Sequence, residues 1–505
     1  MDILKQIKEH AQNRGSQIAI QSRELTLTYR ELEAYSTGLA VWLQKNYKDT
    51  SIPVIVYGHK SAVMVLCFVA CVKSGRAYCP LDCSLPSSRI EAILEMVNPQ
   101  LILASCQSEM GEKIRVEAEE IMQIAKSWSQ MEGTYGGVKP GETFYIIFTS
   151  GSTGDPKGVK ITRDCLENYL EWAVDIGTHR KQKEGLVFLN QAPFSFDLSV
   201  MDLYLCLAVG GTLLTMEKET QADYKQLIPF LSRGEIGIWV STPSFADICL
   251  ADRKFTEALL PKLQLFLFCG ETLTNNTANR LQERFPNAKI VNTYGPTEST
   301  VAVTEVVVTR ALNEAENPLP VGFVKGGTHI EIVKEDGTAA EEGEKGEILI
   351  LGNTVSTGYF GQPELTKKAF FTSMYEGAVC RGYHTGDIGY VKNQLLYYCG
   401  RMDSQVKLHG YRIEIGDIES NLLKLPNITH AAVIPNIKEN KVKSLYAFLV
   451  EEGGTENSLE ASRRIKAALK AWLPDYMIPK KIIFLEHMPV TANGKTDLSI
   501  LKGFL

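Results

Sequence analysis

The sequence lacks the features that would take a protein to a membrane or to nucleic acid. Its longest apolar runs, such as residues 63–72, fall short of the roughly 18 residues that a membrane-spanning helix needs. It has 53 basic against 59 acidic residues, a net charge of −6, so no charge bias favours a polyanion. The chain opens on an amphipathic helical pattern and not on a signal peptide. We therefore expect a soluble cytoplasmic protein with no membrane insertion and no nucleic-acid partner.

Metal-binding and disulfide patterns are also scarce, although the chain has 11 cysteines. Cys67, Cys71, Cys79 and Cys83 form a C-x3-C, x7, C-x3-C series that faintly resembles a metal site. However, the first two fall inside an apolar helical run, where a buried thiol is the ordinary interpretation. No Cys-x2-Cys pair accompanies the series, so we do not expect zinc. An odd number of cysteines without a secretion signal is typical of the reducing cytosol.

The length of 505 residues predicts more than one domain, and 44% hydrophobic with 22% charged residues is ordinary globular composition. From about residue 50 to 300, short apolar runs alternate with helical patterns, which predicts parallel α/β units. A helix is predicted over 61–74, and another over 274–285 with Thr274 as its N-cap. The predicted strands of this region are 52–57, 101–104, 144–148, 238–241, 265–268 and 289–292. Ligand sites in such sheets form beyond the carboxyl ends of the strands.

The pattern changes twice in the second half of the chain. After about residue 300 the strands become shorter and glycine more frequent, as at 346–352 and 395–398, which predicts a β-rich subdomain. Past Arg401 a compact α+β unit of about 100 residues follows, the lower end of independent domain size. Its predicted elements are a helix at 415–423, strands at 431–435 and 445–450, a helix at 459–472 and a strand at 481–485. We therefore predict an α/β protein: a large multi-subdomain N-terminal domain (1–401) with parallel sheets sandwiched by helices, and a small mobile C-terminal domain (402–505).

A glycine-rich segment follows the predicted strand 144–148. Residues 149–158 read TSGSTGDPKG, in which glycines allow close backbone approach to phosphate oxygens and Lys157 supplies positive charge. The segment is not a P-loop, because Gly158 is followed by Val159, and its glycine spacing does not match a dinucleotide fingerprint. From composition alone, a polar surface turn remains a serious alternative.

This segment resembles the signature loop of the adenylate-forming superfamily, which includes acyl-CoA synthetases, peptide-synthetase adenylation domains and luciferases. Four later segments match the same superfamily in the same order. They are residues 292–298 (NTYGPTE), 383–387 (YHTGD), 400–407 (GRMDSQVK) and 491–495 (TANGK). Five ordered motifs are far more specific than any one of them, and the resemblance covers essentially the whole chain.

The resemblance implies ATP and Mg²⁺ as cofactors. Lys157 and Lys495 would be catalytic, stabilising charge as the adenylate forms, and Asp403 would be the hinge of the small domain. Glu298 would hold the metal, although an exposed glutamate in a turn is the alternative. The ATP-binding residues would be Thr149, Ser150, Gly151, Ser152, Thr153, Gly154, Asn292, Thr293, Tyr294, Gly295, Pro296, Thr297, Asp387, Tyr398, Arg401 and Lys495.

Some of these residues have a specific expected contact. The ring of Tyr294 would stack on adenine, and Asp387 and Arg401 would contact the ribose. Without the resemblance, an aspartate after glycine, such as Asp387, is more often a turn former. Cys399 stands where related D-alanine ligases commonly have asparagine, which puts a side-chain contact from this position to the nucleotide in question.

The segment around Asp197 indicates the substrate. A carboxylate among apolar neighbours is costly to bury unpaired, so Asp197 either faces water or pairs with a cation. In amino-acid adenylation domains the matching aspartate pairs the substrate ammonium. Cys269 ends a predicted buried strand and Val301 follows the NTYGPTE segment, a combination that leaves room for little more than a methyl group. Cys269 as a mere core thiol is the alternative. The predicted D-alanine-binding residues are Phe196, Asp197, Cys269, Val301 and Lys495.

Together these segments resemble the D-alanine–D-alanyl carrier protein ligases of Gram-positive bacteria. The resemblance implies that D-alanine is activated to D-alanyl-AMP with release of pyrophosphate. The aminoacyl group would then pass to the phosphopantetheine thiol of a D-alanyl carrier protein, for D-alanylation of lipoteichoic acid in the cell wall. The chief alternative is a stand-alone peptide-synthetase-type adenylation enzyme for another small amino acid. Acyl-CoA synthesis is a third interpretation. A catalytically dead scaffold protein would be expected to lack Lys495 or Glu298, and both residues are present.

Overall fold

The computed structural model describes residues 1–106, 115–130, 136–149, 156–402, 405–438, 441–452, 459–489 and 496–504. The contacts between residues divide the chain into two units. The first unit comprises Met1–Cys83, Val97–Phe148 and Gly158–Gly400, and the second comprises Ser84–Met96, Thr149–Lys157 and Arg401–Leu505. The predicted domain limits of 1–401 and 402–505 stay a prediction.

The helices account for much of the chain on both sides of residue 400. They are α1 (Ile3–Asn13), α2 (Tyr29–Asn46), α3 (Ala62–Lys73), α4 (Ser87–Val97), α5 (Ala118–Trp128), α6 (Arg163–Ala173), α7 (Leu198–Val209), α8 (Lys218–Ala222), α9 (Tyr224–Arg233), α10 (Pro243–Leu250), α11 (Asn275–Arg284), α12 (Arg310–Ala315), α13 (Pro363–Ala369), α14 (Ile415–Leu423), α15 (Leu459–Leu469) and α16 (Leu498–Lys502). None of these described helices combines the length and apolar character that a membrane crossing requires.

The strands up to residue 401 form three sheets within the described residues. They are β1 (Ile18–Gln21), β2 (Thr26–Thr28), β3 (Val54–Gly58), β4 (Tyr78–Asp82), β5 (Ile102–Ala104), β6 (Arg115–Glu117), β7 (Thr143–Thr149), β8 (Lys157–Thr162), β9 (Val187–Asn190), β10 (Thr212–Thr215), β11 (Ile236–Ser241), β12 (Leu265–Phe268), β13 (Lys289–Tyr294), β14 (Thr304–Val307), β15 (Phe323–Val324), β16 (Thr328–Val333), β17 (Gly346–Gly352), β18 (Phe370–Tyr375), β19 (Ala378–Lys392) and β20 (Leu395–Arg401). The later strands are β21 (Gln405–Leu408), β22 (Tyr411–Glu414), β23 (Ile428–Lys438), β24 (Lys441–Glu451) and β25 (Lys481–Phe484).

Two of the sheets are largely parallel, which confirms the predicted α/β class. In the described chain, one runs in the order β15-β14-β13-β12-β11-β9-β10-β1-β2 and the other in the order β6-β5-β3-β4-β7-β8. In the first sheet every pair from β13 to β1 is parallel, whereas β14, β15 and β2 join antiparallel at its two ends. All six strands predicted between residues 50 and 300 lie in these two sheets.

Two helices of the first unit are buried on every side. All residues of α3 and α7 are buried, since both helices are apolar around their whole circumference, the pattern of a helix enclosed by other elements. The prediction of a helix over 61–74 is confirmed, and Cys67 and Cys71 lie inside it as buried thiols. The predicted N-cap of α11 is also confirmed, because the Thr274 hydroxyl accepts from the backbone N–H of Thr277.

The third sheet is antiparallel and carries the predicted β-rich region. In the described residues its order is β16-β17-β19-β18, with β20 paired to β19. The expectation of short strands is wrong for β19, which has 15 residues. Glycines at 382, 386 and 389 interrupt its side-chain alternation, so the sequence pattern resembles several short strands. Asp387 lies inside this strand, so the alternative of a turn-forming aspartate is wrong.

The second unit has its own apolar core after residue 401. Among the described residues, β23, β24 and β25 form one sheet and β21 pairs with β22 in a hairpin. Ile413, Ile418 and Leu422 pack with residues of these strands and of α15. Each element predicted past residue 401 is present, although the helix predicted to reach 472 ends at Leu469, and Leu473-Pro474 follows soon after.

Candidate active site

The carboxyl ends of four neighbouring parallel strands lie at one edge of the β1-containing sheet. Across the sheet these strands are β13, β12, β11 and β9. The segments that follow β9, β12 and β13 include Asp197, Cys269 and Glu298, three of the residues predicted for the site. Ligands of parallel sheets bind beyond these strand ends. The sheet thus brings the predicted amino-acid residues and the NTYGPTE segment to the same edge.

Two polar side chains of β13 fasten the beginning of the NTYGPTE segment. The Asn292 amide donates to the carbonyl of Pro320 at 2.9 Å, and the Thr293 hydroxyl donates to the carbonyl of Phe268 at 2.8 Å. Both side chains are buried. Buried polar groups with partners of this kind hold the backbone in one conformation. The residues predicted to bind nucleotide therefore follow a strand whose end is rigid.

The turn that follows β13 is conformationally strained. A Cβ at Gly295 would lie 2.6 Å from the Cα of Ala302, so only glycine permits this approach. Thr300 and Val301 have φ values of 63° and 69°, in the left-handed region that β-branched residues rarely adopt. The Thr300 hydroxyl donates to the carbonyl of Thr354 at 2.7 Å, which helps to hold the turn. Such conformations cost about 1–3 kcal/mol each and cluster at ligand sites.

Tyr294 and Asp387, the predicted adenine and ribose contacts, lie side by side. The Tyr294 hydroxyl donates to Asp387 Oδ2 at 2.6 Å, and burial together with this carboxylate raises the pKa of Tyr294 well above its usual range. The backbone N–H of Asp387 donates to the Thr385 hydroxyl at 2.9 Å. The ring of Tyr398 lies 6.0 Å from that of Tyr294. A base and its attached ribose require contacts that are adjacent in this way.

Asp197 lies at the N-terminal end of α7, in the N-cap position. Within the described residues its carboxylate does not cap this helix. Instead, Asp197 Oδ2 accepts from the Thr297 hydroxyl at 2.7 Å. The preceding residue, Phe196, is half-buried against the core. The hydrogen bond therefore links Thr297, which is predicted to bind nucleotide, to Asp197, which is predicted to bind the amino acid.

A buried polar network supports the chain on both sides of Asp197. Lys60 Nζ donates to the carbonyls of Asn190, at 3.0 Å, and of Gln191. The Asn190 amide donates to Asp202 Oδ1 at 2.9 Å, across the β9–α7 connection. Burial lowers the pKa of Lys60 to about 7 and raises the pKa of Asp202 well above its usual range. Neither Lys60 nor Asp202 stands in a recognisable motif, so the sequence alone does not predict this support.

Cys269 and Val301 are in contact, as the predicted pocket requires. The Cys269 thiol donates to the carbonyl of Val301 at 3.6 Å, and both side chains are buried. The hydrogen bond fixes the thiol against the strained turn. This arrangement is compatible with a selective wall and also with the alternative of a core thiol.

Glu298 is fully buried, so the alternative of an exposed glutamate in a turn is wrong. Its Oε1 accepts from the Tyr359 hydroxyl at 2.8 Å, and its backbone carbonyl accepts from the N–H of Ser356 at 2.8 Å. Tyr359 lies 61 residues away and outside all five motifs, so the sequence alone does not predict this contact.

The chemistry of Glu298 fits the implied magnesium ion. Mg²⁺ is usually bound through one or two carboxylates, with the other ligands supplied by water and substrate phosphates. In the described parts of the chain, no group of three or more His, Cys, Asp or Glu side chains is placed to hold a metal. A single carboxylate beside the nucleotide motif suits a metal that arrives with the phosphates.

In the second unit, the two described ends of the glycine-rich loop contact charged partners. Lys157 Nζ lies 3.5 Å from Glu414 Oε1, with both side chains largely buried. Arg89 Nη2 donates to the carbonyl of Thr149 at 3.3 Å, and its Nη1 lies 3.3 Å from Asp417 Oδ2. Lys157 is thus held by a carboxylate, the kind of partner that a phosphate can replace.

The remaining predicted residues fall into two groups. Arg401 ends β20 and is half-buried, and Cys399 of the same strand is exposed. Ser150, Gly151, Ser152, Thr153, Gly154, the predicted hinge Asp403 and the predicted catalytic Lys495 lie outside the described residues. Their roles stay predictions that rest on the resemblance.

Comparison with known protein families matches both parts of the chain. Residues 7–360 match the AMP-binding enzyme family, and residues 417–495 match the AMP-binding enzyme C-terminal domain. The chain is 44% identical over 500 residues to a protein of Bacillus anthracis (strain CDC 684 / NRRL 3495) named D-alanine–D-alanyl carrier protein ligase, with 98% of each chain covered. It is also 44% identical over 501 residues to a Bacillus cytotoxicus protein of the same name, again with 98% of each covered.

A solved structure shows the same architecture. The structure of holo-PA1221, an NRPS protein containing adenylation and PCP domains, superposes with a TM-score of 0.85 at 25% identity. The match covers all of this chain and 84% of that one. A large adenylation domain followed by a smaller C-terminal domain is therefore the fold of this chain.

Proposed function

The chain belongs to the AMP-binding enzyme family, and from this premise we propose that it is an ATP-dependent, AMP-forming ligase that joins D-alanine to a carrier protein. The observation that carries the proposal is the carboxylate of Asp197, which Thr297 of the nucleotide motif holds by a 2.7 Å hydrogen bond. An amino acid bound there by its ammonium group would have its carboxylate directed to the nucleotide. The name of the Bacillus relatives supports D-alanine as that amino acid.

In the first half-reaction, a carboxylate oxygen of D-alanine attacks the α-phosphorus of ATP. The bond from the α-phosphorus to the bridging oxygen breaks, so that D-alanyl-AMP and pyrophosphate form. Asp197 binds the ammonium group, while Lys157 and Lys495 stabilise charge that develops on the phosphates and the carboxylate. Mg²⁺ held by Glu298 would supply further neutralisation of the phosphate charge.

In the second half-reaction, the phosphopantetheine thiol of a D-alanyl carrier protein attacks the acyl carbon of D-alanyl-AMP. A thioester forms and AMP leaves. We propose that residues 402–505 act as a mobile domain that turns about Asp403 and carries Lys495 away after the first step. The thioester would then feed D-alanylation of lipoteichoic acid.

The test of the proposed function is a panel of acids in ATP–pyrophosphate exchange. We expect D-alanine to give the highest kcat/KM, roughly 10-fold or more above glycine, since one methyl group in a fitted pocket contributes about that much. L-Alanine should also be weaker, because its methyl group would point in a different direction in the pocket. Acetate, which lacks the ammonium group, should be weaker still.

A preference for another small amino acid would favour the alternative of a stand-alone peptide-synthetase-type adenylation enzyme. A second comparison distinguishes the acceptors, with coenzyme A in place of the holo carrier protein. Transfer to coenzyme A alone would refute the carrier-protein assignment.

The contact between Cys269 and Val301 leads to a prediction about stereochemistry. We propose that Cys269 occupies the space that the methyl group of L-alanine would need. Cys269→Ala should therefore reduce the ratio of kcat/KM for D-alanine over L-alanine by about 10-fold, within the range expected for a small change in pocket volume. The matched control is Cys249→Ala, another buried cysteine, on α10. An unchanged ratio in Cys269→Ala would contradict the assignment.

A further inference from the structure

We propose that Thr297 is a positioning residue for amino-acid recognition, in addition to its predicted place in the nucleotide site. It acts through Asp197, whose Oδ2 accepts the Thr297 hydroxyl at 2.7 Å across 100 residues of sequence. The inference rests on the proposed function, because it assigns a residue to recognition of the substrate's ammonium group.

The geometry of the hydrogen bond favours this role. A carboxylate has about four acceptor positions on its two oxygens. The Thr297 hydroxyl occupies one of these positions and restricts rotation of the carboxylate about its Cβ–Cγ bond. Hydrogen bonds to charged groups are the stronger class. An orienting contact of this kind lowers the entropy that is lost when the ammonium group binds.

The Thr297 hydroxyl is itself held rigidly. The residue is buried and β-branched, so its side chain has few accessible rotamers. Its backbone lies in a short 3₁₀ turn, in which Ser299 N–H donates to the carbonyl of Pro296 at 2.9 Å and Thr300 N–H donates to that of Thr297 at 3.1 Å. The neighbouring Glu298 side chain is tied to Tyr359. Rigidity of the donor is what allows it to fix the acceptor.

The arrangement has a mechanistic consequence. Asp197 belongs to the N-terminal end of α7, and its carboxylate is also attached by a hydrogen bond to the turn that follows β13. The attacking carboxylate of D-alanine and the α-phosphorus must be about 3–3.5 Å apart before reaction, and their positions must be held to within about 0.5 Å. The hydrogen bond between Asp197 and Thr297 therefore holds the amino-acid site in a fixed position relative to the nucleotide motif.

The experiment compares Thr297→Val with Thr297→Ser in ATP–pyrophosphate exchange. Valine keeps the shape and removes the hydroxyl, so KM for D-alanine should rise about 10- to 100-fold, the size expected for one hydrogen bond to a charged group. Thr297→Ser retains the hydroxyl, so its KM for D-alanine should stay close to that of the unmodified protein. The matched control is Thr277→Val, because Thr277 donates to Asp247 Oδ1 at the same distance of 2.7 Å where α11 contacts α10. It should leave KM for D-alanine unchanged.

A double-mutant cycle with Asp197→Asn separates positioning from a nucleotide-only role. If Thr297 acts through Asp197, Thr297→Val should change KM for D-alanine by less than about twofold in the Asp197→Asn background. An effect of equal size in both backgrounds, or a rise confined to KM for ATP, would overturn the inference. Failure of the unmodified protein to exchange with D-alanine would instead refute the proposed function. Melting temperatures identify any loss due to misfolding. If Thr297→Val does not fold, Thr297→Ala, which also removes the hydroxyl, takes its place in the comparison with Thr297→Ser.

Discussion

Lys495→Ala should reduce D-alanine-dependent ATP–pyrophosphate exchange by at least about 10²- to 10³-fold, the loss typical when one preorganised charge-stabilising donor is removed. The physical reason is that an anionic carboxylate must approach an anionic α-phosphate, so negative charge is concentrated between them in the transition state. The same variant should still transfer D-alanine from preformed D-alanyl-AMP to the holo carrier protein, at a rate within about twofold of the unmodified enzyme. The two half-reactions are measured separately, by exchange and by thioester formation.

The matched control is Lys480→Ala, which removes an exposed lysine from the same C-terminal region. It should change neither half-reaction. If Lys495→Ala slowed both half-reactions equally, the proposal that the mobile domain carries Lys495 away after the first step would be wrong for this protein. If it slowed neither, Lys495 would not be the catalytic lysine.

Asp197→Asn should lower kcat/KM for D-alanine about 10²- to 10³-fold. The substitution keeps the size and one acceptor oxygen but removes the negative charge, and loss of one member of a desolvated charge pair typically costs several kcal/mol. The measurement is exchange with D-alanine and with D-lactate, which has a hydroxyl in place of the ammonium group. Exchange with D-lactate should fall far less.

Asp247→Asn is the control for this substitution, since Asp247 also accepts a threonine hydroxyl at 2.7 Å. It should leave the preference between D-alanine and D-lactate as it is. Equal losses for both substrates in Asp197→Asn would mean that Asp197 supports the pocket structurally and does not pair with the ammonium group.

Much of the fold was predictable because its elements are defined locally. The helix α3 and the strand β3 are apolar runs bounded by polar residues or glycine, and α14 has the bounds predicted from its pattern. Long-range pairing was not predictable in this way. For example, β1 pairs in parallel with β10, which places Ile20 beside Leu213 although the two residues are far apart in the sequence. A pattern within one strand does not specify which distant strand lies beside it.

The candidate site shows the same division. The motifs identified the residues of the NTYGPTE segment and Asp197, but not the hydrogen bond between Thr297 and Asp197. The partner of Glu298 was missed for the same reason, because Tyr359 contacts it only through the tertiary fold. The local pattern also does not specify whether a charged residue in a turn is enclosed or exposed. Glu298 is such a residue, and it is fully enclosed.

The left-handed turn at Thr300 and Val301 matters for anyone who would engineer this enzyme. Glycine at either position would release conformational strain, although the loss of a buried side chain would offset that gain. Yet the carbonyl of Val301 is the partner of the Cys269 thiol, and a glycine there would let the pocket wall move. Backbone strain and a fixed pocket wall are therefore linked at this turn. Variants of Thr300 or Val301 should be screened for their choice of amino acid as well as for thermal stability.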